Sequence, residues 1–331
     1  MTMNKQWLLA SRPTGEPTLA NFRLVETPVP SIGADEVLVR NHYMSLDPYM
    51  RGRMDDGKSY AMPQPLDAVM QGGTVGEVVA SNNPAFKVGD KVVGGYGWQQ
   101  YGKSNGAELR KVDDSQVPLS AYLGAVGMPG VTAWVGLNMI IAPKAGETVV
   151  VSAASGAVGA VVGQLAKAQG ARVVGVAGGA EKCRIVVEEF GFDACVDYKA
   201  GNLYADLKAA TPNGIDGNFE NVGGEVMDAV LARMNGFGRV AVCGLISGYN
   251  GEAIPVTNFR SILINRLKIQ GFIVSQHMDL WPHALSELGA LVASGRLKYR
   301  ETVAQGIEAA PEAFFGLLKG RNLGKQLVKL I

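Results

Sequence analysis

The chain has 331 residues, of which 47% are hydrophobic and 18% are charged. This length and balance suit a soluble globular protein of two domains and exclude a disordered chain. Its 31 basic and 30 acidic side chains leave a formal net charge of +1, which gives no reason to expect a nucleic acid or an acidic membrane as a partner.

The three cysteines, Cys183, Cys195 and Cys243, form no C-x-x-C pair. Their odd number argues against a disulfide framework and against a cysteine-based zinc finger. The first residues, MTMNKQWLLASRP, lack the apolar run of a signal peptide. Together these features predict a protein of the reducing cytoplasm.

Between Phe22 and about Gln100, short apolar runs alternate with turn signals. The runs EVLVRNHYMSL, GGTVGEVVAS and GDKVVGGYGW are typical of strands. Closely spaced strands without helical patterns between them predict a first domain, residues 1–124, built as an antiparallel, barrel-like sheet.

An uncharged stretch then runs from Ser115 to Pro143, which is long enough to cross a bilayer. Pro118 and Pro129 interrupt it, and a proline inside a helix removes a hydrogen bond and clashes with the preceding turn. We therefore expect a buried, bent segment that joins two domains, and no membrane helix.

Residues 125–299 alternate between strand and helix patterns. ETVVVSA, ARVVGVA, ACVDY, IDGNFENVG, GRVAVCGLIS and RLKIQGFIV are typical of strands, and EKCRIVVEEFG and ALSELGALVASG are typical of helices. After the first strand, one helical face is formed by Val158, Val161, Val162, Leu165 and Ala166. The alternation predicts an α/β domain with a doubly wound parallel sheet. Residues 300–331 return to a strand, helix and strand, and we expect them to rejoin the first domain.

The turn after ETVVVSA reads Ala154-Ser155-Gly156-Ala157-Val158-Gly159. It follows a predicted strand and opens a predicted helix, so its backbone N–H groups and the helix N-terminus would face a pyrophosphate. Ala154 stands where the usual G-x-G-x-x-G pattern begins, which weakens the motif. The alternative is an ordinary tight turn whose glycines serve packing only.

The choice of nicotinamide cofactor depends on the residues beyond this turn. NAD-specific folds place an acid about 20 residues further on, where it holds the ribose 2′-hydroxyl. Here no Asp or Glu occurs from Thr148 to Ala180, Gly178 and Gly179 occupy the tip of the second strand, and Lys182 lies just beyond. Because the missing acid removes repulsion of a 2′-phosphate and the lysine attracts it, the pattern predicts NADP(H). The alternative for Lys182 is a solvated helix lysine.

A metal-based mechanism is not favoured. Alcohol dehydrogenases often hold zinc with Cys, His and carboxylates, but this chain has only His42, His277 and His283, none of them near a cysteine in sequence. No G-x-S-x-G nucleophile elbow occurs, which argues against an α/β-hydrolase. We expect a metal-free site and histidines with structural or solvated positions.

In seven stretches that follow one another in the same order along the sequence, the chain resembles the zinc-free medium-chain dehydrogenase/reductases that reduce carbon–carbon double bonds conjugated to a carbonyl. These enzymes include the prostaglandin reductase/leukotriene B4 12-hydroxydehydrogenase group, plant double-bond reductases and bacterial NADPH-dependent curcumin/dihydrocurcumin reductases. The stretches span nearly the whole chain: SLDPYMRGRM (45–54), GMPGVTAW (127–134), AASGAVGAVVGQLAK (153–167), GVAGGAEKCR (175–184), ENVGGE (220–225), CGLISGYN (243–250) and LLKGRNLGKQLV (317–328).

The resemblance implies a GroES-like catalytic domain, a Rossmann domain that binds NADP(H), and a homodimer. It implies that the loop of Ser155, Gly156, Ala157, Val158 and Gly159 holds the pyrophosphate, and that Lys182 and Tyr198 contact the 2′-phosphate. The remaining implied cofactor contacts are Asn221, Cys243, Gly244, Leu245, Ile246, Ser247, Tyr249, Phe272, Ile273, Val274 and Asn322. Zinc-binding members of the family carry Gly-His-Glu where this chain reads Gln71-Gly72-Gly73, which supports the metal-free expectation.

The implied reaction adds hydride to the β-carbon of an α,β-unsaturated ketone or aldehyde, so negative charge develops on the carbonyl oxygen. Tyr249 is the first candidate donor to that oxygen, because it lies just past the C-terminal end of a predicted parallel strand, where doubly wound folds bind ligands. Its alternative is a turn tyrosine beside Asn250-Gly251, and a ribose hydroxyl could share the donor role. Tyr49, which relatives place at the substrate pocket, is the second candidate, with a barrel-edge tyrosine as its alternative. Arg51 is expected to form a structural charge pair.

Two other functions would share these features. A quinone oxidoreductase would have the same fold and cofactor and no metal, but would reduce quinones. A non-catalytic, crystallin-like protein would bind NADPH without turning over any enone.

Overall fold

The computed structural model describes residues 2–331, and this part of the chain contains fifteen β-strands and nine α-helices. The strands are β1 Met3–Leu9, β2 Phe22–Pro28, β3 Val37–Ser45, β4 Thr74–Ser81, β5 Lys91–Gly94, β6 Tyr101–Ser104, β7 Arg110–Lys111, β8 Thr148–Ser152, β9 Arg172–Ala177, β10 Ala194–Asp197, β11 Ile215–Glu220, β12 Met234–Val242, β13 Lys268–Gly271, β14 Glu301–Gln305 and β15 Lys325–Lys329. The helices are α1 Tyr49–Arg53, α2 Met128–Val135, α3 Gly159–Ala168, α4 Ala180–Glu188, α5 Leu203–Ala210, α6 Gly224–Leu231, α7 Arg260–Ile264, α8 Trp281–Ala293 and α9 Ala310–Leu318. The chain divides into two compact units: Met1–Leu123 with Glu301–Ile331 form the first, and Gly124–Arg300 form the second.

The first unit is built on antiparallel strands. Its larger sheet has the order β14-β15-β3-β4-β5-β7, with β6 also paired to β3, and only β14 and β15 run parallel to each other. β1 and β2 form a separate antiparallel pair. The predicted antiparallel-rich sheet is therefore confirmed, as are the strand, helix and strand of the C-terminal tail.

Two details of this unit differ from the prediction. The run GDKVVGGYGW forms only the short strand β5, and the chain then turns at Gly97, which has a φ of 77° and a backbone close to the Met70 carbonyl. β1 lies ahead of the region where strands are expected. Its buried Trp7 and Leu9 alternate inward, but polar residues between Met3 and Trp7 conceal that alternation in the sequence.

The core of the first unit is aromatic. The fully buried Trp98 ring stacks on Phe22 at a centroid distance of 5.6 Å and meets the edge of Phe314 in α9 at the same distance. Such pairs add about 0.5–1.5 kcal/mol beyond the burial of their surface. Met50 and Met54 pack into the same cluster, so α1 and its flanking residues are fixed to this core.

The second unit contains a six-stranded sheet with the order β10-β9-β8-β11-β12-β13, and every pair of neighbours in it runs parallel. Valine-rich strands such as β8, which is buried along its whole length, are typical of a sheet covered on both faces. The doubly wound α/β fold is confirmed. The strand order reverses between β8 and β11, and this reversal positions the site described below.

α3 packs closely against its surroundings. Val161, Val162, Leu165 and Ala166 are buried as predicted, whereas Val158 precedes the first residue of the helix. A Cβ at Gly163 would overlap the ring of Phe192, so only glycine lets the helix approach that ring.

The uncharged stretch from Ser115 to Pro143 is bent, as expected. It forms a 3-10 turn over Leu119–Leu123, then α2, and then a π-helical segment over Gly136–Ile141. Most of its side chains are buried. Among residues 2–331, no helix has the length and apolar character needed to cross a membrane.

Candidate functional site

The candidate site lies at the carboxyl edge of the parallel sheet in the second unit. Doubly wound folds bind ligands where the strand order reverses, which here is between the ends of β8 and β11. The two strand ends are linked by Ser152 and Asn221. The Asn221 N–H donates to the Ser152 hydroxyl at 2.7 Å, and the Asn221 side-chain amide donates to the Ser152 carbonyl at 2.7 Å. These bonds fix Asn221 beside the turn that follows β8.

That turn, Ala154–Gly159, is called the glycine loop below. Ala153 has a φ of 49°, and the Gly156 N–H donates to the Ala153 carbonyl at 2.9 Å, which closes the turn. A Cβ at Gly159 would overlap the Ala153 carbonyl, and one at Gly156 would lie 3.2 Å from it. The first N–H groups of a helix have no intrahelical acceptor, so those of α3 are donors for an anion held at this loop.

Ala154 replaces the usual first glycine without widening the turn. The residue is fully buried, and a Cβ added at Gly175 in β9 would lie 2.8 Å from the Ala154 Cβ. The space that the alanine methyl group needs is therefore provided by a glycine on the neighbouring strand. For this reason the departure from the G-x-G-x-x-G pattern does not argue against a ligand site.

Glu220, the last residue of β11, organises the loop that follows, and the sequence analysis did not identify it. Its side chain is fully buried, and Oε1 accepts hydrogen bonds from the Ser152 hydroxyl at 2.9 Å, Val222 N at 2.7 Å and Gly223 N at 2.8 Å. Its Oε2 accepts the Asn218 side-chain amide at 3.0 Å. A buried carboxylate is stable only when its lone pairs are satisfied in this way. No local signal marked it, because β11 reads IDGNFE and already carries the polar residues Asp216 and Asn218.

Side chains from the segment after β10 cover the tip of β9. A Cβ at Gly178 would lie 2.9 Å from the ring and hydroxyl of Tyr198 and 3.0 Å from Cε of Lys199, so both side chains lie over this glycine. Asp197 Oδ1 accepts the Gly179 N–H at 2.7 Å and the Lys199 N–H at 2.9 Å. The carboxylate in this region is thus engaged with backbone amides.

Lys182, in the first turn of α4, belongs to the same group. Burial, followed by the charge of Lys199, lowers the pKa of Lys182 below its ordinary value. Two neighbouring ammonium groups repel each other and are stabilised by an anion. We call Lys182, Tyr198 and Lys199 the phosphate cluster. Lys199 was missed by the sequence analysis, although it directly follows Tyr198 in VDYK.

The chemistry of these groups fits a phosphorylated dinucleotide. The glycine loop and the first turn of α3 supply backbone donors of the kind that hold a pyrophosphate. The phosphate cluster supplies two cations and a phenol hydroxyl at the end of β9, where dinucleotide folds hold the adenosine ribose. Asn221 follows β11 and is hydrogen-bonded to Ser152 at the end of β8, so it lies at the same edge of the sheet.

The loop after β12, Cys243–Tyr249, is tied to the loop after β11. The Ile246 N–H donates to the Asn221 carbonyl at 3.2 Å, and the Ser247 hydroxyl donates to the Val222 carbonyl at 2.6 Å. Since two strand-end loops hold each other, residues of both are positioned along one edge of the sheet.

Tyr249 folds back over its own loop. Its hydroxyl oxygen accepts the Leu245 N–H at 3.3 Å, and a Cβ at Gly244 would lie 3.1 Å from that oxygen. The hydroxyl is therefore held at the carboxyl end of β12, beside residues predicted to contact the cofactor. The following Gly251 has a φ of 94°, so the predicted turn beside Tyr249 is also present.

The segment Phe272–Val274 is not a strand, and this prediction is wrong. β13 ends at Gly271, and a 3-10 turn begins at Val274. The Val274 carbonyl accepts the His277 N–H and the Trp281 indole N–H, each at 3.2 Å. These bonds turn the chain away from the direction of β13 and end its pairing.

Two of the predicted cofactor residues, Phe272 and Cys243, are buried and half-buried, respectively. The ring of Phe272 is buried and meets Phe219 edge-on at 6.1 Å, which leaves its backbone as the part near the strand ends. Burial, and to a lesser extent the charge of Glu220, raises the pKa of Cys243 to about 12. That thiol is therefore neutral at physiological pH and is not a nucleophile.

Tyr49 and Asn322 belong to the first unit. Burial, followed by the charge of Asp47, raises the pKa of Tyr49 above its ordinary value, so its hydroxyl keeps its proton at neutral pH. The Arg53 guanidinium lies 5.5 Å from the centre of the Tyr49 ring. The Asn322 side-chain amide donates to the Gly324 carbonyl at 2.7 Å and so braces its own turn.

A buried ion pair holds the start of α1. Lys325 Nζ lies 2.9 Å from Asp47 Oδ1, and the two side chains are only 4% and 8% exposed. Removing one partner of such a pair costs about 3–5 kcal/mol, because the other charge is left buried alone. The structural role predicted for Arg51 is confirmed: its guanidinium binds Asp55 at 2.8 Å and the Gly15 carbonyl at 2.9 Å.

Within the described range, 2–331, no group of three or more His, Cys, Asp and Glu side chains is placed to hold a metal ion. His283 packs edge-on against the Trp134 ring at 5.4 Å, and His42 Nε2 lies 3.9 Å from Glu77. Burial is the main cause that lowers the pKa of His42, which therefore favours its neutral form.

Comparisons with known proteins agree with this geometry. Residues 5–112 match a family described as the N-terminal domain of oxidoreductase, and residues 157–292 match a family described as zinc-binding dehydrogenase. The NADPH-dependent curcumin reductase of Escherichia coli is 48% identical over 99% of this chain and 97% of its own. Prostaglandin reductase 1 of Rattus norvegicus is 42% identical over 99% of this chain and its whole length.

A solved structure supports the same relationship. The chain is similar to CurA from Vibrio vulnificus, crystallised in complex with NADPH, with a TM-score of 0.94 and 45% identity over 99% of both chains. Identity at this level over the full length confirms the resemblance seen in the seven motifs. The chain belongs to the medium-chain dehydrogenase/reductase family, in the group that contains the curcumin and prostaglandin reductases.

Proposed function

We propose that the protein is an NADPH-dependent reductase of the carbon–carbon double bond in α,β-unsaturated ketones and aldehydes. The observation that carries the proposal is the phosphate cluster at the tip of β9, in a chain that is 48% identical to an NADPH-dependent curcumin reductase. Its two cations distinguish NADPH from NADH, which lacks the 2′-phosphate. Curcumin is itself a conjugated enone, which fits this substrate class.

The chain's own residues bind the cofactor and polarise the substrate carbonyl group. When bound, NADPH supplies the hydride. Within the glycine loop, Ser155–Gly159 hold the pyrophosphate, and the phosphate cluster of Lys182, Tyr198 and Lys199 holds the 2′-phosphate. Asn221, the backbone of Cys243–Ser247 and Phe272–Val274, and Asn322 supply the remaining cofactor contacts.

Hydride addition at the β-carbon places negative charge on the substrate carbonyl oxygen, and a donor aimed at that oxygen lowers the barrier. We assign this donor to the Tyr249 hydroxyl. Its oxygen accepts the Leu245 N–H at 3.3 Å, and a phenol that accepts one hydrogen bond becomes a stronger donor of another. The α-carbon is then protonated from solvent or from a nearby donor.

Tyr49 is the second candidate for contact with the substrate. Its raised pKa keeps the hydroxyl protonated, as a donor requires, and the buried Asp47–Lys325 pair fixes the start of its helix. The Arg53 guanidinium also lies 5.5 Å from the ring of Tyr60, so the two tyrosines share one cation.

The test is NADPH oxidation by the purified protein with a set of enones and enals beside a set of quinones, with products identified by mass spectrometry. We expect saturated ketones and aldehydes, with carbonyl groups intact. Turnover of quinones alone would identify a quinone oxidoreductase. Tight NADPH binding without turnover of either set would identify a non-catalytic binding protein.

We also propose that the protein is a homodimer that joins two copies at β13. This strand is the edge of its sheet, most of its residues are exposed, and an unpaired edge is a template for a further strand. In the adjacent α7, Leu263 is 81% exposed and Ile264 is 52% exposed, and Phe259 before it is 68% exposed. Leu263→Asp should shift the mass measured by light scattering from dimer to monomer. A wild-type monomer at micromolar concentration would refute this assembly.

We further propose that the reaction needs no metal and that the protein works in the cytoplasm, where NADPH is regenerated. The hydrogen-bond donors named above stabilise the developing charge without a Lewis acid. Cell fractionation tests the compartment, and elemental analysis of the purified protein for zinc tests the mechanism.

A further inference from the structure

Two cysteines face each other beside the phosphate cluster. Cys183 lies in α4 and Cys195 lies in β10, and their Sγ atoms are 3.0 Å apart, with the Cys195 thiol donating toward Cys183. Both residues are free thiols and both are partly exposed to solvent. A disulfide has an S–S distance of about 2.05 Å, so bond formation requires the sulfur atoms to approach by only about 1 Å.

The surroundings assign different roles to the two thiols. The hydrogen bond from Cys195 lowers the pKa of Cys183, whereas its interaction with Cys183 raises the pKa of Cys195. A thiolate, not a thiol, attacks an oxidant. Cys183 is therefore the thiol that reacts first, and Cys195 is the resolving thiol beside it.

We propose that hydrogen peroxide oxidises Cys183 and Cys195 to a reversible disulfide, and that this disulfide weakens NADPH binding. The Cys183 thiolate attacks one oxygen of hydrogen peroxide, the O–O bond breaks, and hydroxide leaves, which gives a sulfenic acid on Cys183. The Cys195 sulfur then attacks the Cys183 sulfur. The S–S bond forms, the S–O bond breaks, and water leaves with the proton of Cys195. A dithiol returns two electrons and two protons and restores both thiols.

The position of the pair connects the bond to the cofactor. Cys183 directly follows Lys182, and Cys195 is two residues before Asp197, whose carboxylate holds the Gly179 N–H at the start of α4. Drawing α4 toward β10 changes the placement of Lys182 relative to Tyr198 and Lys199. This consequence rests on the proposed function, because it assumes that these residues hold the 2′-phosphate.

The first measurement needs no cofactor. The reduced protein is treated with hydrogen peroxide, free thiols are counted, and a tryptic digest is mapped by mass spectrometry without reduction. We expect the loss of two of the three thiols in each chain and a disulfide that links the dipeptide Cys183-Arg184 to the peptide 185–199. Cys195→Ser should instead accumulate a trapped sulfenic acid on Cys183. Cys243→Ser is the matched control and should still form the disulfide.

The second measurement compares Kd for NADPH and NADH in the reduced and oxidised wild-type protein. We expect oxidation to raise Kd for NADPH about three- to tenfold, because a charge-assisted contact is weakened and not deleted, and to change Kd for NADH much less. Dithiothreitol should reverse the change, and Cys183→Ser should abolish it. Absence of the linked peptide, or a disulfide that leaves both Kd values unchanged, would overturn the proposal. Failure of the reduced protein to prefer NADPH would instead refute the proposed cofactor site, whatever the peptide map shows.

Discussion

Replacement of Lys182 by alanine tests the phosphate cluster directly. The substitution removes one of two cations at the tip of β9 and leaves the glycine loop, Asn221 and Tyr249 unchanged. NADH presents a hydroxyl group where NADPH presents a phosphate, so its binding does not depend on that cation. We therefore expect a loss of affinity that is confined to NADPH.

The size of the loss follows from the contacts of Lys182. A hydrogen bond to a charged group contributes about 1.5–3 kcal/mol, which corresponds to about a 10- to 150-fold change in Kd. Burial and the charge of Lys199 already disfavour the charged form of Lys182 in the free protein, and the alanine variant relieves that repulsion. Lys199 also remains to hold the phosphate. We therefore expect the lower part of this range, about a 10- to 30-fold rise in Kd for NADPH and less than about a twofold change for NADH.

The assay is titration of the two cofactors by protein fluorescence. Lys208→Ala, which removes an exposed lysine from α5, is the matched control and should leave both Kd values unchanged. Equal losses of NADPH and NADH affinity in Lys182→Ala would refute the assignment of Lys182 and return it to a solvated helix lysine.

The pH dependence provides an independent check on the same residue. Because the pKa of Lys182 is lowered in the free protein, its charge is present below that pKa and is lost as the pH rises through it. Bound phosphate favours the charged form, so affinity for NADPH should be constant at neutral pH and fall on the alkaline side, while affinity for NADH should not follow it. Lys182→Arg, whose guanidinium stays charged, should remove this alkaline loss.

Three further outcomes are expected. Tyr249→Phe should lower kcat for a simple enone by about 10- to 100-fold and should leave Kd for NADPH nearly unchanged. This loss is smaller than that seen for some single oxyanion donors, because a ribose hydroxyl can share the role. An unaltered kcat would show that Tyr249 is only a turn residue, and Tyr49 would be the next residue to test. Elemental analysis should find no stoichiometric zinc, and activity should survive chelators; one essential zinc per chain would overturn the metal-free mechanism. Burial raises the pKa of Asp228, but hydrogen bonds from Asn258 and Thr257 outweigh burial and hold that pKa at about 2. The Asp228 carboxylate therefore stabilises the fold fully above about pH 4, and its contribution decreases as the pH falls toward 2. Asp228→Asn should therefore lower the free energy of unfolding at neutral pH by about 2–4 kcal/mol and flatten its acid dependence in urea titrations.

The second unit could be predicted from sequence because its strands and helices carry strong local signals. The run ETVVVSA has three consecutive valines at its centre, and β8 is buried along its whole length, so the pattern and the packing agree. The glycine loop was predicted by its place between that strand and α3. Gly159 is required there because a Cβ would lie 2.4 Å from the Ala153 carbonyl oxygen, a constraint that leaves a direct trace in the sequence.

The features that were missed depend on contacts between distant segments. Lys199 reaches the tip of β9 only because β10 pairs with β9, and no local pattern records that pairing. Glu220 accepts a hydrogen bond from Ser152 at the end of β8, 68 residues earlier in the chain, so its buried position could not be inferred from its own strand alone. The strand expected at Phe272–Val274 was wrong because Trp281, seven residues beyond Val274, holds the Val274 carbonyl and ends the extended conformation.

The position of Tyr198 over Gly178 has a consequence for the evolution of cofactor preference. An enzyme that uses NADH needs an acid near the end of the second strand, and Gly178 occupies that end. In this chain a Cβ at Gly178 would lie 2.9 Å from the ring of Tyr198, which is 44% exposed, so an acid introduced there displaces that ring as well as repelling a bound phosphate. A single substitution at Gly178 therefore disturbs Tyr198, which we propose as a contact to the 2′-phosphate, in the same step that adds a negative charge beside that phosphate. We therefore expect Gly178→Asp to weaken NADPH binding through both effects at once, and a Gly178→Asp, Tyr198→Ala double variant to separate the steric effect from the charge.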